Sequence, residues 1–338
     1  MTINIDLFKY IVQFDTDNET IINQIESLFK SRSFRVVGDS SNGKIELHCQ
    51  ITESTEQFEK IREQYSFNSP EIHVSPGITI RYALSAKDTA FLVSHTAVIV
   101  ISAENERQSC VYIHPHVEKK PEDKEKRYKP EAESFIYPLL VEWLKKFGSC
   151  LMHCGAVVIN DRAVIFSGPP GSGKSTLVMR MMLQGYPFLA DDLAILTHID
   201  GDIVMLPFRE IANVNEHSME TFPELEFLND SPLRGDKKYS IDISNKFQTE
   251  SAKFAYPGLF IHLFSDDEKW IRKTDDGNIF DNIHSMAWFQ GKPEDSPNHF
   301  WLLSEWLEKS IHIDVSRGYL FDSMQPFIKK LNDFLMCR

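Results

Sequence analysis

One run of nine residues restricts this chain more than any other: residues 168–176 read GPPGSGKST, a complete G-x-x-x-x-G-K-[ST]. Residues 163–167 (AVIFS) are β-rich and lead directly into Gly168, and residues 176–183 read as a helix. A strand that feeds a glycine-rich turn and then a helix aims the helix N-terminus, with its unpaired N–H groups and positive dipole end, into the turn. Glycines let the backbone curl until its amides converge on phosphate oxygens. We therefore expect Gly168, Gly171, Ser172, Gly173, Lys174, Ser175 and Thr176 to bind the phosphates of a nucleotide, ATP. In such a loop the Lys174 ammonium neutralises the β- and γ-phosphates, and the Ser175 hydroxyl coordinates Mg2+. A glycine-rich turn that merely caps a helix is the bland alternative.

The flanking sequence adds candidate chemistry. Residues 156–159 and 163–167 are joined by Asn160-Asp161-Arg162, a hairpin turn, so the loop follows the second strand of a hairpin. Beyond the helix, Gly185 reads as a C-cap, and residues 186–190 form a short apolar strand ending in Asp191-Asp192, 17 residues after Lys174. Ligands of α/β sheets gather at the carboxyl ends of strands, and so short a unit brings both aspartates beside the loop. Adjacent side chains of an extended chain point opposite ways. One carboxylate is expected to face magnesium and the other the incoming nucleophile. Phosphoryl transfer needs positioning and charge neutralisation, for which Lys174, Mg2+ and one free carboxylate are a minimum set.

The remaining composition mostly excludes. A formal net charge of -13 argues against nucleic acid and anionic membranes as partners, since both reward a basic face. Five cysteines, an odd number spread over 338 residues, make no disulfide framework. Cys150, His153 and Cys154 resemble half a metal site, but no second cluster follows and their apolar neighbours indicate packed thiols on a strand. The N-terminus lacks a basic region followed by an apolar one, and no apolar run is long enough to span a bilayer. A soluble, cytoplasmic protein is expected.

Residues 1–116 read as an α+β region. Residues 8–14 alternate like a strand. Asp17-Asn18-Glu19-Thr20 can cap a helix to about residue 30, and strand-like runs fall at 44–49, 78–84, 91–93, 97–102 and 111–114. Residues 117–130, almost wholly charged with two prolines, read as an exposed connection. Residues 131–338 form the third segment. It opens on an amphipathic helix over 131–147, with Phe135, Leu139, Leu140, Trp143 and Leu144 on its apolar side. It closes on helices at 300–309 and 323–336, with strands at 203–206, 239–243 and 259–264 between.

Taken together, His153 on a strand, the hairpin, GPPGSGKST, the helix and Leu189-Ala190-Asp191-Asp192 resemble the catalytic domain of HPr kinase/phosphorylase and its HPr-kinase-related relatives. Those proteins carry a His-Gly strand, the same loop and a V-A-D-D segment. The specific match covers residues 151–196. The resemblance implies an α/β P-loop domain, preceded here by the α+β region, that transfers phosphate from ATP to a serine of a protein or peptide. It implies Asp191 as the base that takes the acceptor proton, Asp192 as a ligand of the metal and His153 as the residue orienting the carboxylates. Cys154, however, separates His153 from Gly155. Arg209-Glu210 partly echoes a downstream Glu-Arg-Gly segment, which makes Glu210 a candidate second metal ligand. The basic run at residues 234–238 (RGDKK) could supply cations. The family's known members also imply a homo-oligomer. Residues 1–116 do not match the accessory domain of the bifunctional enzymes, so the relatives are the better comparison.

Two other classes compete. A small-molecule kinase of the shikimate or gluconate type also places an Asp after its first helix, but its sheet begins with the loop strand and it carries an Arg-rich lid that this sequence lacks. A regulator that holds ATP without transferring its phosphate would not need a free Asp191.

Overall fold

Alternating apolar residues in the first part of the chain become a single eight-stranded sheet. The computed structural model describes residues 1–7, 10–29, 45–75, 78–84, 86–115, 117–118, 127–128, 131–169, 171–208, 211–215, 225, 238–243, 252–266, 268–274, 296–322 and 324–336. The chain divides into two units, Met1–Lys30 with Phe34–Phe147, and Gly148–Phe289 with Pro297–Arg338. Both are mixed α/β.

In the first unit β1 (Thr2–Leu7), β2 (Tyr10–Asp15), β3 (Ile45–Glu53), β4 (Ile72–Ser75), β5 (Ile78–Tyr82), β6 (Thr89–Val93), β7 (Ala97–Ile101) and β8 (Gln108–Ile113) lie in the order β1-β2-β3-β8-β7-β6-β5-β4. The central trio β2, β3 and β8 is parallel. Helix α1 (Glu19–Leu28) starts where the sequence indicates, with the Asn18 side chain accepting from the N–H groups of Thr20 and Ile21. Helix α2 (Thr55–Gln64), capped by Ser54, gave no clear periodic signal, because Phe58 is its one buried residue.

Helix α3 (Ala132–Lys146) differs from expectation in two ways. It falls in the first unit rather than with the phosphate-loop segment. Its N-terminus is tied there by Gln24, whose side chain accepts from Ala132 N at 2.9 Å. Nor is it simply amphipathic: every residue from Phe135 to Lys145 is buried. Its two buried charges pair with each other, Lys145 Nζ lying 2.8 Å from Glu142 Oε1, which also accepts from Tyr82 Oη at 2.7 Å. Most of the charged connection lies outside the described residues; within it β9 (Val117–Glu118) and β10 (Arg127–Tyr128) pair antiparallel.

The second unit is a seven-stranded mixed sheet, β14-β13-β11-β12-β17-β19-β18. Its strands are β11 (Cys150–Ile159), β12 (Arg162–Ser167), β13 (Phe188–Ile199), β14 (Asp202–Pro207), β17 (Tyr256–Phe264), β18 (Ile271–Lys273) and β19 (Ile311–Ser316), while β15 (Ile211–Asn215) and β16 (Lys238–Asp242) form a separate ribbon. The hairpin β11–β12 turns through Asn160 and Asp161, both at positive φ (51° and 60°), the primed geometry that suits tight hairpins. Parity then sorts side chains between two cores. Val157, Ile159, Val164 and Phe166 pack with α4 (Lys174–Leu183) and with Phe327 and Leu331 of α7 (Met324–Met336). Cys154, Ala156, Val158 and Ile165 pack on the other face with Leu302, Leu303 and Trp306 of α5 (Ser296–Glu308). A short α6 (Arg317–Asp322) follows β19.

Removing one member of the buried ion pair strands the other charge. Lys145→Ala should therefore destabilise the first unit by about 3–5 kcal/mol, while Lys145→Met with Glu142→Leu should cost much less. Chemical denaturation of the parent and both variants measures this; equal losses would mean that the packing, not the stranded charge, sets the penalty.

Candidate functional site

The phosphate-type loop forms as its sequence dictates. β12 ends at Ser167, and α4 begins at Lys174 with Gly173 as its N-cap at φ 101°. Gly171 has φ 81°, and at both glycines the place of a Cβ is open space, so the loop is lined by bare backbone. Gly168 is needed for a different reason: a Cβ there would lie 2.6 Å from the Leu263 carbonyl oxygen of neighbouring β17. Lys174 Nζ folds back over the loop and donates to Gly168 O at 2.7 Å and Pro169 O at 3.1 Å. Ser172 Oγ is buried and has no hydrogen-bond partner among the described residues. Ser175 and Thr176 lie half-buried in the first turn of α4. A helix N-terminus, bare amides and a lysine ammonium can together hold an anion.

The two aspartates reach this loop by register. Asp191 pairs with Gly155, Gly155 with Phe166, and Phe166 with Ile261. Asp191 is thus level with the last turnings of β12, two strands from the loop. Because paired residues share a face, Asp191 lies on the side of Gly155, where a Cβ would face Val178 and Lys174 of α4. The strand itself corrects one expectation. β13 does not end at Asp191-Asp192 but runs on to Ile199, because Ala194 and Leu196 enter the α5-side core and β14 pairs with it from Ala194 onward. The carboxylates stand at the crevice because β12 stops there.

The pair is also less regular than an extended chain predicts. Asp192 has φ 98°, a conformation that a residue with a side chain adopts at a cost and that tends to persist at functional sites. Strict alternation would send Asp192 to the face of Cys154. Instead its Oδ1 sits 2.9 Å from His153 Nδ1, on the Gly155 face of β11. Both side chains are about half exposed. Asp191 differs sharply: it is 5% exposed, and its Oδ2 accepts from the backbone N–H of Asn213 in β15 at 2.7 Å. His153, Asp191, Asp192 and Lys174 are therefore gathered beside the carboxyl end of β12, with the two carboxylates in unlike settings.

Cys150 and Cys154 face the α5-side core, away from His153. Burial, reinforced by the charges of Asp191 and Asp192, pushes the Cys154 thiol up to about 12, so the thiolate that a metal would need is strongly disfavoured. Arg209, Glu210 and residues 234–237 lie outside the described residues. No local pattern announces Asn213, nor a ring stack on the α5 side of β17 and β19. There His262 and His312 lie 6.1 Å apart and nearly parallel, with Phe260 against both. Asp314, buried beside His262 in register, accepts from Thr274 Oγ1 at 2.7 Å. Burial first, then His312, lowers His262 from its ordinary 6.5 to about 4, against the opposing pull of Asp314.

No family model matches the chain, nor does any curated protein. Among solved structures, the HPr(Ser) kinase/phosphatase from Coxiella burnetii is similar over 54% of this chain and 93% of its own, at 13% identity and a TM-score of 0.31. Among the described residues no helix is long and apolar enough to cross a membrane.

Because His262 is kept neutral in the folded protein, the unfolded chain binds a proton that the folded one refuses between pH 6.5 and about 4. Its stabilising contribution is complete above pH 6.5 and is lost as pH falls through that window. His262→Phe, which preserves the ring stack, should flatten the decline in denaturation midpoint between pH 6.5 and 4; an unchanged slope would show that His262 does not titrate this way.

Proposed function

We propose that this chain is an ATP-dependent kinase that passes the γ-phosphate to a hydroxyl, a serine of a protein or peptide. One observation carries the reading: a lysine ammonium folded onto the carbonyls of Gly168 and Pro169, in a complete phosphate loop level with two unlike carboxylates. The residues fit the cofactor. Gly171 and Gly173 leave the loop open, Ser172 Oγ is buried without a partner among the described residues, and Lys174 lies over the loop. Lys174 and the amides of the loop would hold the phosphates. Ser175 and one aspartate would hold Mg2+, which commonly takes one or two protein ligands and fills the rest of its shell with phosphate and water. Bound Mg2+–ATP supplies the phosphoryl group.

The protein's own residues then divide the remaining work. A base for an incoming serine must meet a partner from solvent, and Asp192 is exposed while Asp191 is nearly inaccessible. We therefore exchange the roles that the family resemblance implies. Asp192 accepts the hydroxyl proton, with its carboxylate oriented by His153 Nδ1 at 2.9 Å, and Asp191, anchored by Asn213 N–H, serves the metal. An aspartate is basic enough to assist an alcohol in a transition state where little proton transfer is demanded.

Lys174→Ala should weaken Mg2+–ATP binding roughly 10- to 100-fold, the usual worth of a lost charge-assisted hydrogen bond or two, with an unchanged circular-dichroism spectrum. Parental affinity in that variant would end the loop assignment.

The carboxylates separate by titration. Asp192→Asn should keep nucleotide affinity and lose roughly 10²–10⁴-fold in transfer rate, whereas Asp191→Asn should raise the Mg2+ concentration needed for half-maximal rate. The reverse pattern returns the base role to Asp191, and no effect from either favours the non-catalytic regulator. Mass spectrometry of the products should show phosphoserine on a protein or peptide; a phosphorylated sugar or metabolite formed as efficiently would mark a small-molecule kinase.

A further inference from the structure

We infer that the nucleotide base stacks on an aromatic platform made by Phe264 and Trp270, at the carboxyl end of β17 and on the side of the loop away from Asp191 and Asp192. The inference rests on the nucleotide-binding reading of residues 168–176 and goes beyond it by placing the base. Strand order supplies the direction. From the loop strand β12, one side of the sheet leads through β11 to β13 and its two carboxylates, and the other leads through β17 to β19 and β18. Phosphate transfer to an acceptor held near the carboxylates leaves the other side for the opposite end of the nucleotide. That side begins in contact with the loop, since Ser167 pairs with His262 and Gly168 abuts the Leu263 carbonyl. Phe264 is the next residue.

The end of β17 is built as a fixed aromatic surface. Phe264 is 37% exposed at the end of a strand whose residues 257–263 are buried, and its ring lies 5.3 Å from that of Trp270. Trp270 is pinned on its backbone and its ring. Its N–H donates to Ser316 Oγ at 3.0 Å, its carbonyl accepts from the same hydroxyl at 3.1 Å, and its indole Nε1 donates to Asp266 Oδ2 at 3.1 Å. Asp266 is itself held, accepting from Glu268 N at its side chain and from Gly318 N at its carbonyl. The Glu268 amide first, and then the Trp270 indole N–H, hold its carboxyl below the usual range, so the anchor stays ionised. The Arg272 guanidinium lies 4.7 Å above the indole and is itself largely exposed. It covers one face of Trp270, which leaves the Phe264 ring and the outer guanidinium plane as stacking surface. Rigid aromatic rings with an adjacent arginine, exposed at the ligand edge of an α/β sheet, suit a planar heteroaromatic ring.

The test compares ligands with and without a base. Binding of ATP and of inorganic tripolyphosphate, each with Mg2+, is measured for the parent, Phe264→Ala and Phe264→Trp. Phe264→Ala should weaken ATP roughly tenfold, within the range found for single base–aromatic stacks, and leave tripolyphosphate unchanged, and Phe264→Trp should restore ATP. Equal affinity of parent and Phe264→Ala for ATP would overturn the inference, as would equal weakening of both ligands, which signals a disturbed loop. A parent that binds tripolyphosphate as tightly as ATP would overturn the platform while sparing the loop. A parent that binds neither would overturn both.

Discussion

The second unit depends on two places where backbone must approach something without a side chain between. At Gly155 a Cβ would lie 2.8 Å from Val178 Cγ2, a short branched side chain with little room to give. The absence of that carbon lets α4 lie flat against β11, and so brings Lys174, at the helix start, over the row that ends in Asp191. At Gly168 the obstruction is the Leu263 carbonyl, which cannot move without breaking the parallel pairing of β12 and β17. The loop is therefore clamped by its neighbour strand on one side and by its helix on the other. Its open residues, Gly171 and Gly173, owe their character to this frame, since a curled backbone holds its amides in place only if both ends are fixed.

Much of this was legible beforehand, and the parts that were not share physical causes. The strand–loop–helix unit carries its own local code: β-rich residues, glycines at positive φ and a helix immediately after. The hairpin turn at Asn160 and Asp161 is legible for the same reason, as both residues tolerate left-handed backbone. Tertiary context hid the rest. The sequence predicts a short β13 because its polar aspartates interrupt an apolar run, yet the pairing with β11 and β14 carries it through them. Helix α3 reads as amphipathic because Glu142 and Lys145 are charged, whereas in the fold they pair with one another inside a core, with Tyr82 Oη donating to the same carboxylate oxygen. Strand β19 mixes polar and apolar residues because His312 and Asp314 are buried in a polar stack of their own.

For the candidate site the residue types were evident and the roles were not. Lys174 sits on the loop, and His153, Asp191 and Asp192 sit beside the carboxyl end of β12. A sequence shows that two adjacent aspartates cannot share an environment, but not which one the core will claim. That choice falls to β15, a ribbon strand whose Asn213, 22 residues beyond Asp191, donates its N–H to that carboxylate. It falls also to the positive φ of Asp192, which no neighbouring residue announces. Strain of this kind survives only when the surrounding pairing over-determines it, and β11 and β13 pair on both sides of Asp192.

Electrostatics gives the unlike settings a consequence. Two strand spacings separate β13 from β12, roughly 10 Å between axes, which is about one Debye length at 0.1 M salt. An exposed charge such as Asp192 is largely screened over that distance from the glycine-rich loop. Asp191 has no such screening, because protein rather than water surrounds it. Its field reaches toward the loop through a medium of lower dielectric constant, where a unit charge counts several times more than in water. An anion entering the loop would meet that charge with Lys174, among the described residues, as the cation folded over the loop. In the proposed reaction a second cation between Asp191 and the phosphates would offset that repulsion, which is the electrostatic reason for assigning the metal to the buried carboxylate and the proton to the exposed one.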